Sequence, residues 1–142
     1  MKPHAASAEI TPDAFAGKRI LLAEDNDLNA EIAVTILEET GFHVERAADG
    51  IECVKMLQQA EAGHYDLILM DIQMPNMDGY KATEKIRRMP DAAKANIPII
   101  AMTANAFDED KHNAMAAGMN GHLSKPIDIG KMMDMLHDVF GG

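Results

Sequence analysis

A second cysteine is missing from this chain of 142 residues, so Cys53 has no internal partner for a disulfide. No run approaches the roughly 20 apolar residues that a bilayer-spanning helix needs. The first stretch, Met1 to Lys18, carries alanine, proline and scattered charge but no contiguous apolar block, so it does not read as a signal peptide. Together these absences fit a reducing cytoplasmic setting without direct membrane contact. Basic residues are also scarce. The 13 Lys and Arg stand against 23 Asp and Glu, giving a formal net charge of -10 and a pI of about 4.9. Most of such a molecule would repel a nucleic-acid backbone or an anionic membrane surface, which argues against a DNA-binding output module and for no nucleic-acid partner. Internal repeats and low-complexity tracts are absent as well.

What is present suffices for an ordinary core, since 47% of the residues are hydrophobic. One domain is expected over residues 18–142, with residues 1–17 a linker or an expression remnant. From Lys18 onward, short aliphatic runs alternate with longer stretches of helical period, the pattern of an α/β fold with a parallel sheet covered on both faces. The expected strands are Arg19 to Ala23, His43 to Ala47, Leu67 to Asp71, Ile99 to Thr103 and Gly121 to Ser124, none of them reading as solvent-facing. The runs Ile20-Leu21-Leu22, Leu67-Ile68-Leu69-Met70 and Ile99-Ile100-Ala101-Met102 are continuous rather than alternating, as central strands buried on both sides require.

Five helices are expected in the gaps. The first sets Leu28, Ile32 and Ile36 four apart and closes at Thr40-Gly41, and the second, from Asp49-Gly50, sets Ile51, Val54 and Leu57 three apart. A third runs from about Tyr80 until Pro90, a fourth is capped by Asp108, and a fifth is capped by Asp128 with Met132, Met135, Leu136 and Val139 on one face. Right-handed crossovers make the five-stranded sheet doubly wound. In such sheets the ligand site lies beyond the carboxyl ends of the strands, near the switch in strand order.

Those strand ends carry Glu24-Asp25, Asp71, Thr103 and Lys125. Solvated loop chemistry accounts easily for one such residue, but three carboxylates, a hydroxyl and an amine on one rim form a more demanding pattern. Crowded carboxylates raise one another's pKa values unless a cation neutralises them. An all-oxygen set with few protein ligands suits Mg2+ over calcium, with Mn2+ able to substitute. With the metal bound, one carboxylate can attack phosphorus, Lys125 supplies a second positive contact, and the Thr103 hydroxyl donates to a phosphoryl oxygen.

The segments Ala23-Glu24-Asp25-Asn26, Met70-Asp71-Ile72-Gln73-Met74-Pro75-Asn76-Met77-Asp78-Gly79, Ala101-Met102-Thr103-Ala104 and Leu123-Ser124-Lys125-Pro126 resemble the four signature segments of response-regulator receivers in two-component systems. The resemblance spans Lys18 to about Phe140. It implies the flavodoxin-like strand order 2-1-3-4-5 and a phosphoryl group passed from phosphohistidine to Asp71. Further implied are a Mg2+ held by Glu24, Asp25, Asp71 and the main-chain carbonyl of Gln73, with Glu24 reaching it through water, and a phosphoryl group bound by Thr103 and Lys125. The Lys125-Pro126 bond is usually cis in this family. Gln73 and Asn105 fall where family members tune the lifetime of the acyl phosphate.

The family's switch position, often aromatic, is here His122, expected to move with Thr103 and to add pH sensitivity because free imidazole titrates at about 6.5. Among the methionines, Met132 and Met135 are expected in the core, while Met119 and Met133 are open to partner contact. Cys53 is expected to pack quietly, and His43, His64, His112 and His137 lack metal-ligand spacing and read as solvated surface.

Two rival chemistries fit less well. An aspartate-nucleophile phosphatase needs a second aspartate two residues after the first, where this chain has Gln73. A flavodoxin-type flavin site wants hydroxyls and N–H groups after the first strand, where Glu24-Asp25 would repel the phosphate. Phe15-Ala16-Gly17-Lys18, Leu21 to Asn29 and Ala104-Asn105-Ala106-Phe107 are similar to receivers at the ends of hybrid histidine kinases. That similarity favours a piece of the cytoplasmic part of a kinase, with a free single-domain regulator as the alternative. Its partners would be a kinase phosphohistidine domain or a histidine phosphotransfer protein docking near the first helix. Kinase residues are absent here, so the chemistry expected of this piece is its own aspartate phosphorylation and dephosphorylation.

Overall fold

Five short strands form where the sequence concentrates its apolar runs: β1 (Arg19–Ala23), β2 (His43–Ala47), β3 (Leu67–Asp71), β4 (Ile99–Thr103) and β5 (Gly121–Ser124). The structure, a computed structural model, describes residues 16–104, 108–125 and 127–140, without the side chains of residues 108–110. Most of the linker expected over residues 1–17 therefore lies outside the described residues. Every strand pairing is parallel and the sheet order is β2-β1-β3-β4-β5. Between the strands lie α1 (Asp27–Glu38), α2 (Gly50–Gln59), α3 (Gly79–Arg87), α4 (Ala92–Ala95), α5 (Asp108–Ala117) and α6 (Ile129–Phe140).

Six helices rather than five stand among the described residues. The extra one, α4, is a single turn after Pro90, nucleated by Asp91, whose carboxylate accepts from the N–H groups of Ala93 at 2.8 Å and Lys94 at 3.4 Å. A turn this short has no apolar period to detect. At α5, Asp108 is the first helical residue rather than the cap before it.

Alternate residues of the central strands feed opposite layers of core. Leu21, Ala23, Ile68, Met70, Ile99 and Ala101 face α2, α3 and α5, while Ile20, Leu22, Leu67, Leu69, Ile100 and Met102 face α1 and α6. Each of the ten Leu, Ile and Met side chains among these contributes about 1.5–3 kcal/mol by leaving water. The edge strand β2 departs from the expectation of full burial, with His43 exposed and the next three residues half-buried. An edge strand has one uncovered flank, and Glu45 there pairs with His64 at 3.1 Å and Tyr65 at 2.9 Å. His64 is thus partnered rather than solvated. Cys53 packs in the core, with burial pushing its thiol up to about 12.

The helix faces need correction at several places. Helix α1 turns Ala30, Ala33 and Leu37 to the sheet and leaves Leu28 64% and Ile32 48% exposed. Two stripes of helical period coexist in α1, and the one with the small alanines is the one that approaches the strands. In α2, Val54 and Leu57 are buried but Ile51 is exposed. In α6 the buried face is Met132, Met133 and Leu136, shifted from the expected stripe, so Met133 is core and Met135 and Val139 only border it. Met119 is also buried. It follows Gly118, whose positive φ of 106° turns the chain back so that the Met119 N–H donates to the Ala114 carbonyl at 3.0 Å.

Candidate phosphoryl-transfer site

Hydrogen-bond ladders continue past the last strand residues and carry the chain into the site. Glu24 donates its N–H to the Ala47 carbonyl at 3.1 Å, Ile72 to the Met102 carbonyl at 3.2 Å and Lys125 to the Thr103 carbonyl at 2.8 Å. The backbone leaving β1, β3 and β5 is therefore as fixed as the strands. Arg46 on β2 adds a tie, donating to the Glu24 carbonyl at 3.0 Å and to the Asp27 carboxylate at 2.7 Å.

Side chains then converge. One carboxylate oxygen from each of Glu24, Asp25 and Asp71 lies within 4.8 Å of the others. Lys125 Nζ sits 2.8 Å from Glu24 Oε1 and 3.1 Å from Asp71 Oδ2. The second Glu24 oxygen accepts from the Asn26 N–H at 3.2 Å. Glu24, Asp71 and Thr103 are buried, whereas Asp25 and Gln73 are exposed. All five, with Lys125, line one depression of about 250 Å³ that opens beyond the carboxyl ends of the strands.

Burial, and then the hydrogen bond and charge of Glu24, push the Asp71 carboxyl up to about 7, with Lys125 pulling the other way. Burial would lower the Lys125 ammonium, but Glu24 and Asp71 outweigh it and hold the amine above its ordinary range. The pocket thus carries more negative charge than one lysine neutralises. That excess, on oxygen donors alone, fits a hard divalent cation. Glu24, Asp25 and Asp71 would hold it, with the Gln73 carbonyl in the loop above.

His122 is placed differently. It pairs in register with Ala101 while Thr103 pairs with Ser124, so His122 shares a sheet face with Thr103 but stands two positions back along the strands. It is half-buried, does not line the depression, and has its imidazole pushed down by burial and by Lys111. Asn105 and the Lys125-Pro126 bond lie outside the described residues. Arg46, Asn26 and the contacts of the loop after Asp71 were not among the residues expected at the site. Only Asn26, a helix-capping type directly before α1, had a signal that could have found it.

The profile of the response regulator receiver domain matches residues 20–137. Among curated proteins, the chain is 40% identical over 119 residues to the hybrid signal transduction histidine kinase B of Dictyostelium discoideum, covering 78% of this chain and 6% of that protein. It is 39% identical over 127 residues to the sensor protein GacS of Pseudomonas syringae, covering 88% of this chain and 14% of that protein. The chain thus spans a small part of the length of these relatives. Among solved structures, the receiver domain of a Pseudomonas aeruginosa sensor histidine kinase, with magnesium coordinated in its active-site cleft, superposes with a TM-score of 0.78 at 39% identity, covering 89% of this chain and 100% of that one. A Saccharomyces cerevisiae co-crystal of a histidine phosphotransfer protein with the receiver domain of its downstream response regulator matches with a TM-score of 0.75 at 26% identity, covering 92% of this chain and 90% of that one.

Proposed function

This chain belongs to the response-regulator receiver family, and from that premise we propose that Asp71 accepts the phosphoryl group from a phosphohistidine in a phosphorelay. The observation that carries the reading is Lys125 Nζ between Glu24 and Asp71, 2.8 Å and 3.1 Å away, with Asp25 beside them at the strand ends. In the transfer an Asp71 carboxylate oxygen forms a bond to phosphorus, the phosphorus–nitrogen bond breaks, and its electron pair stays on the imidazole. Lys125 balances the charge of the incoming group, and Thr103 donates its hydroxyl to a phosphoryl oxygen. Asp25, Asp71 and the Gln73 carbonyl, with Glu24 through water, would hold magnesium, or manganese in its place, which when bound would supply electrophilic charge at the transferring group. Water later cleaves the acyl phosphate, at a rate tuned by Gln73 and Asn105.

The added charge, about 1.5 to 2 negative units, shifts Thr103 and with it His122. A histidine phosphotransfer protein or a kinase phosphohistidine domain docks over α1, where Leu28 and Ile32 are exposed beside a depression of about 350 Å³ lined by Glu24, Asn29, Ile32, Lys125 and Ile127. This apolar patch borders the acidic pocket through Glu24 and Lys125, which supports a docking mode in which the partner's histidine would meet Asp71. Among the described residues no helix is long and apolar enough to cross a membrane. The parent is a hybrid histidine kinase whose receiver lies in the cytoplasm. Incubation with magnesium and acetyl phosphate, followed by intact-mass measurement, tests the reading. One phosphoryl group is gained by the native chain and none by Asp71→Asn, whereas equal labelling of both would overturn it.

A further inference from the structure

The loop after Asp71 runs from Ile72 to Asp78 and contains Gln73, whose side chain is exposed. At its base the Gly79 N–H donates to the Ile72 carbonyl at 2.8 Å, an approach open to glycine because a Cβ there would overlap the Asp71 carbonyl oxygen. At its tip Asn76 has a φ of 69°, the only positive value at a non-glycine residue among the described residues. The Met77 N–H donates across it to the Pro75 carbonyl at 2.7 Å, closing a three-residue turn of the left-handed, strained kind. Such a backbone persists only where its surroundings hold it, and these conformations gather at functional sites.

Two contacts with α2 do the holding. Asn76 Nδ2 donates to Asp49 Oδ2 at 2.7 Å, while the other oxygen of Asp49 accepts from the Glu52 N–H at 2.8 Å and caps the helix. Both bonds hold the Asp49 carboxyl below its ordinary range, the cap first and Asn76 second. Beside them the loop backbone lies on Gly50, where a Cβ would overlap the Met77 carbonyl oxygen. One carboxylate thus starts α2 and fastens the loop.

We infer that the Asp49–Asn76 pair is a latch that positions the Gln73 main-chain carbonyl for the divalent cation, so that Asn76 and Asp49 are positioning residues for the site. The inference rests on the phospho-acceptor reading. Gln73 has the Ile72–Met102 backbone bond on one side and buried Met74 followed by the latched turn on the other, so releasing the turn loosens one of the two anchors that follow the carbonyl. The latch is exposed and covers little apolar surface, so its loss should show in metal affinity before it shows in global stability.

Asn76→Gly tests this, because glycine keeps the positive φ and loses only the side chain. The variant should melt within about 2 °C of the native protein while its magnesium dissociation constant, measured by calorimetry, rises about fivefold. Saturating magnesium should restore its rate of phosphorylation by acetyl phosphate. Asp49→Ser keeps a helix cap but cannot reach Asn76, so it should weaken magnesium equally, and the double variant should be no weaker than either single one. Affinities within about twofold of native in both single variants, or effects that simply add, would overturn the latch alone. A native protein that binds no magnesium would overturn the phospho-acceptor reading and the latch with it.

Discussion

The main-chain N–H of Lys125 donates to the carbonyl oxygen of Thr103 at 2.8 Å, so the amine and the hydroxyl that flank the acidic pocket are carried on one hydrogen-bonded frame. From just past β5 the lysine side chain then reaches across to Glu24, just past β1, and to Asp71, which closes β3. Its position is set by backbone, and under the proposed function its charge is what the site uses.

Lys125→Met should therefore keep the frame and lose the chemistry. Phosphorylation by acetyl phosphate should slow about 100-fold, the scale of removing one preorganised charge contact in a transition state. Magnesium should still bind, because Glu24, Asp25 and Asp71 all remain. A time course by intact mass together with a calorimetric titration reads both effects, and an undiminished labelling rate would remove Lys125 from the mechanism.

Asp71 makes the metal-free protein sensitive to pH. Burial first, and Glu24 next, raise its carboxyl from an ordinary 3.8 to about 7. Between those values the folded state holds a proton that the unfolded chain has released, so this contribution to stability is complete at low pH and is lost as pH rises through the window. Asp71→Asn should melt at a higher temperature than the native protein in chelator near neutral pH, and the difference should shrink in acid. Magnesium should raise the melting temperature of the native protein and leave the variant nearly unchanged. Parallel melting curves across pH would contradict this account of the pocket.

The centre of the sheet was legible because β1, β3 and β4 are buried on both faces, as Leu67-Ile68-Leu69-Met70 shows, and continuous apolar runs have few other readings. Asp71, Thr103 and Lys125 were legible for a related reason, since each closes or follows a strand whose end the sequence makes plain. Helix faces were harder. In α1, Leu28 and Ile32 are larger than Ala30 and Ala33, so side-chain size alone favours the stripe that faces water. Long-range polar contacts left no trace in local pattern: nothing near Arg46 points to Glu24, and nothing near Asn76 points to Asp49.

Arg87 belongs to the same hidden class. Its guanidinium donates to the carbonyls of Gly118 at 2.9 Å, Ala95 at 2.7 Å and Ile97 at 2.7 Å, and to Asn120 Oδ1 at 2.8 Å. Asn120 in turn accepts from the Ile99 N–H at 2.8 Å, so one side chain ties the ends of α3, α4 and α5 to the start of β4. Arg87→Met should destabilise the fold by about 2–3 kcal/mol by stranding these carbonyls. Magnesium affinity should not change, because the cluster lies at the opposite end of the strands. Urea unfolding and a metal titration on the same variant separate the two readouts.

Leu28 and Ile32 offer the sharpest test of what the domain meets. They are 64% and 48% exposed on α1, while Ala30, Ala33 and Leu37 secure the helix to the sheet. Truncating both to alanine should therefore leave stability within about 0.5 kcal/mol of native, since alanine favours helix and no core contact is lost. The acidic pocket also stays whole, so acetyl phosphate should label Asp71 at the native rate. Transfer from a histidine-phosphorylated phosphotransfer protein should instead slow about tenfold or more, because exposed apolar anchors of this kind carry much of the affinity of an interface. The contrast between a small donor and a protein donor is the decisive measurement. Equal slowing with both would mean that the two side chains support the site, and equal native rates would mean that a partner docks elsewhere.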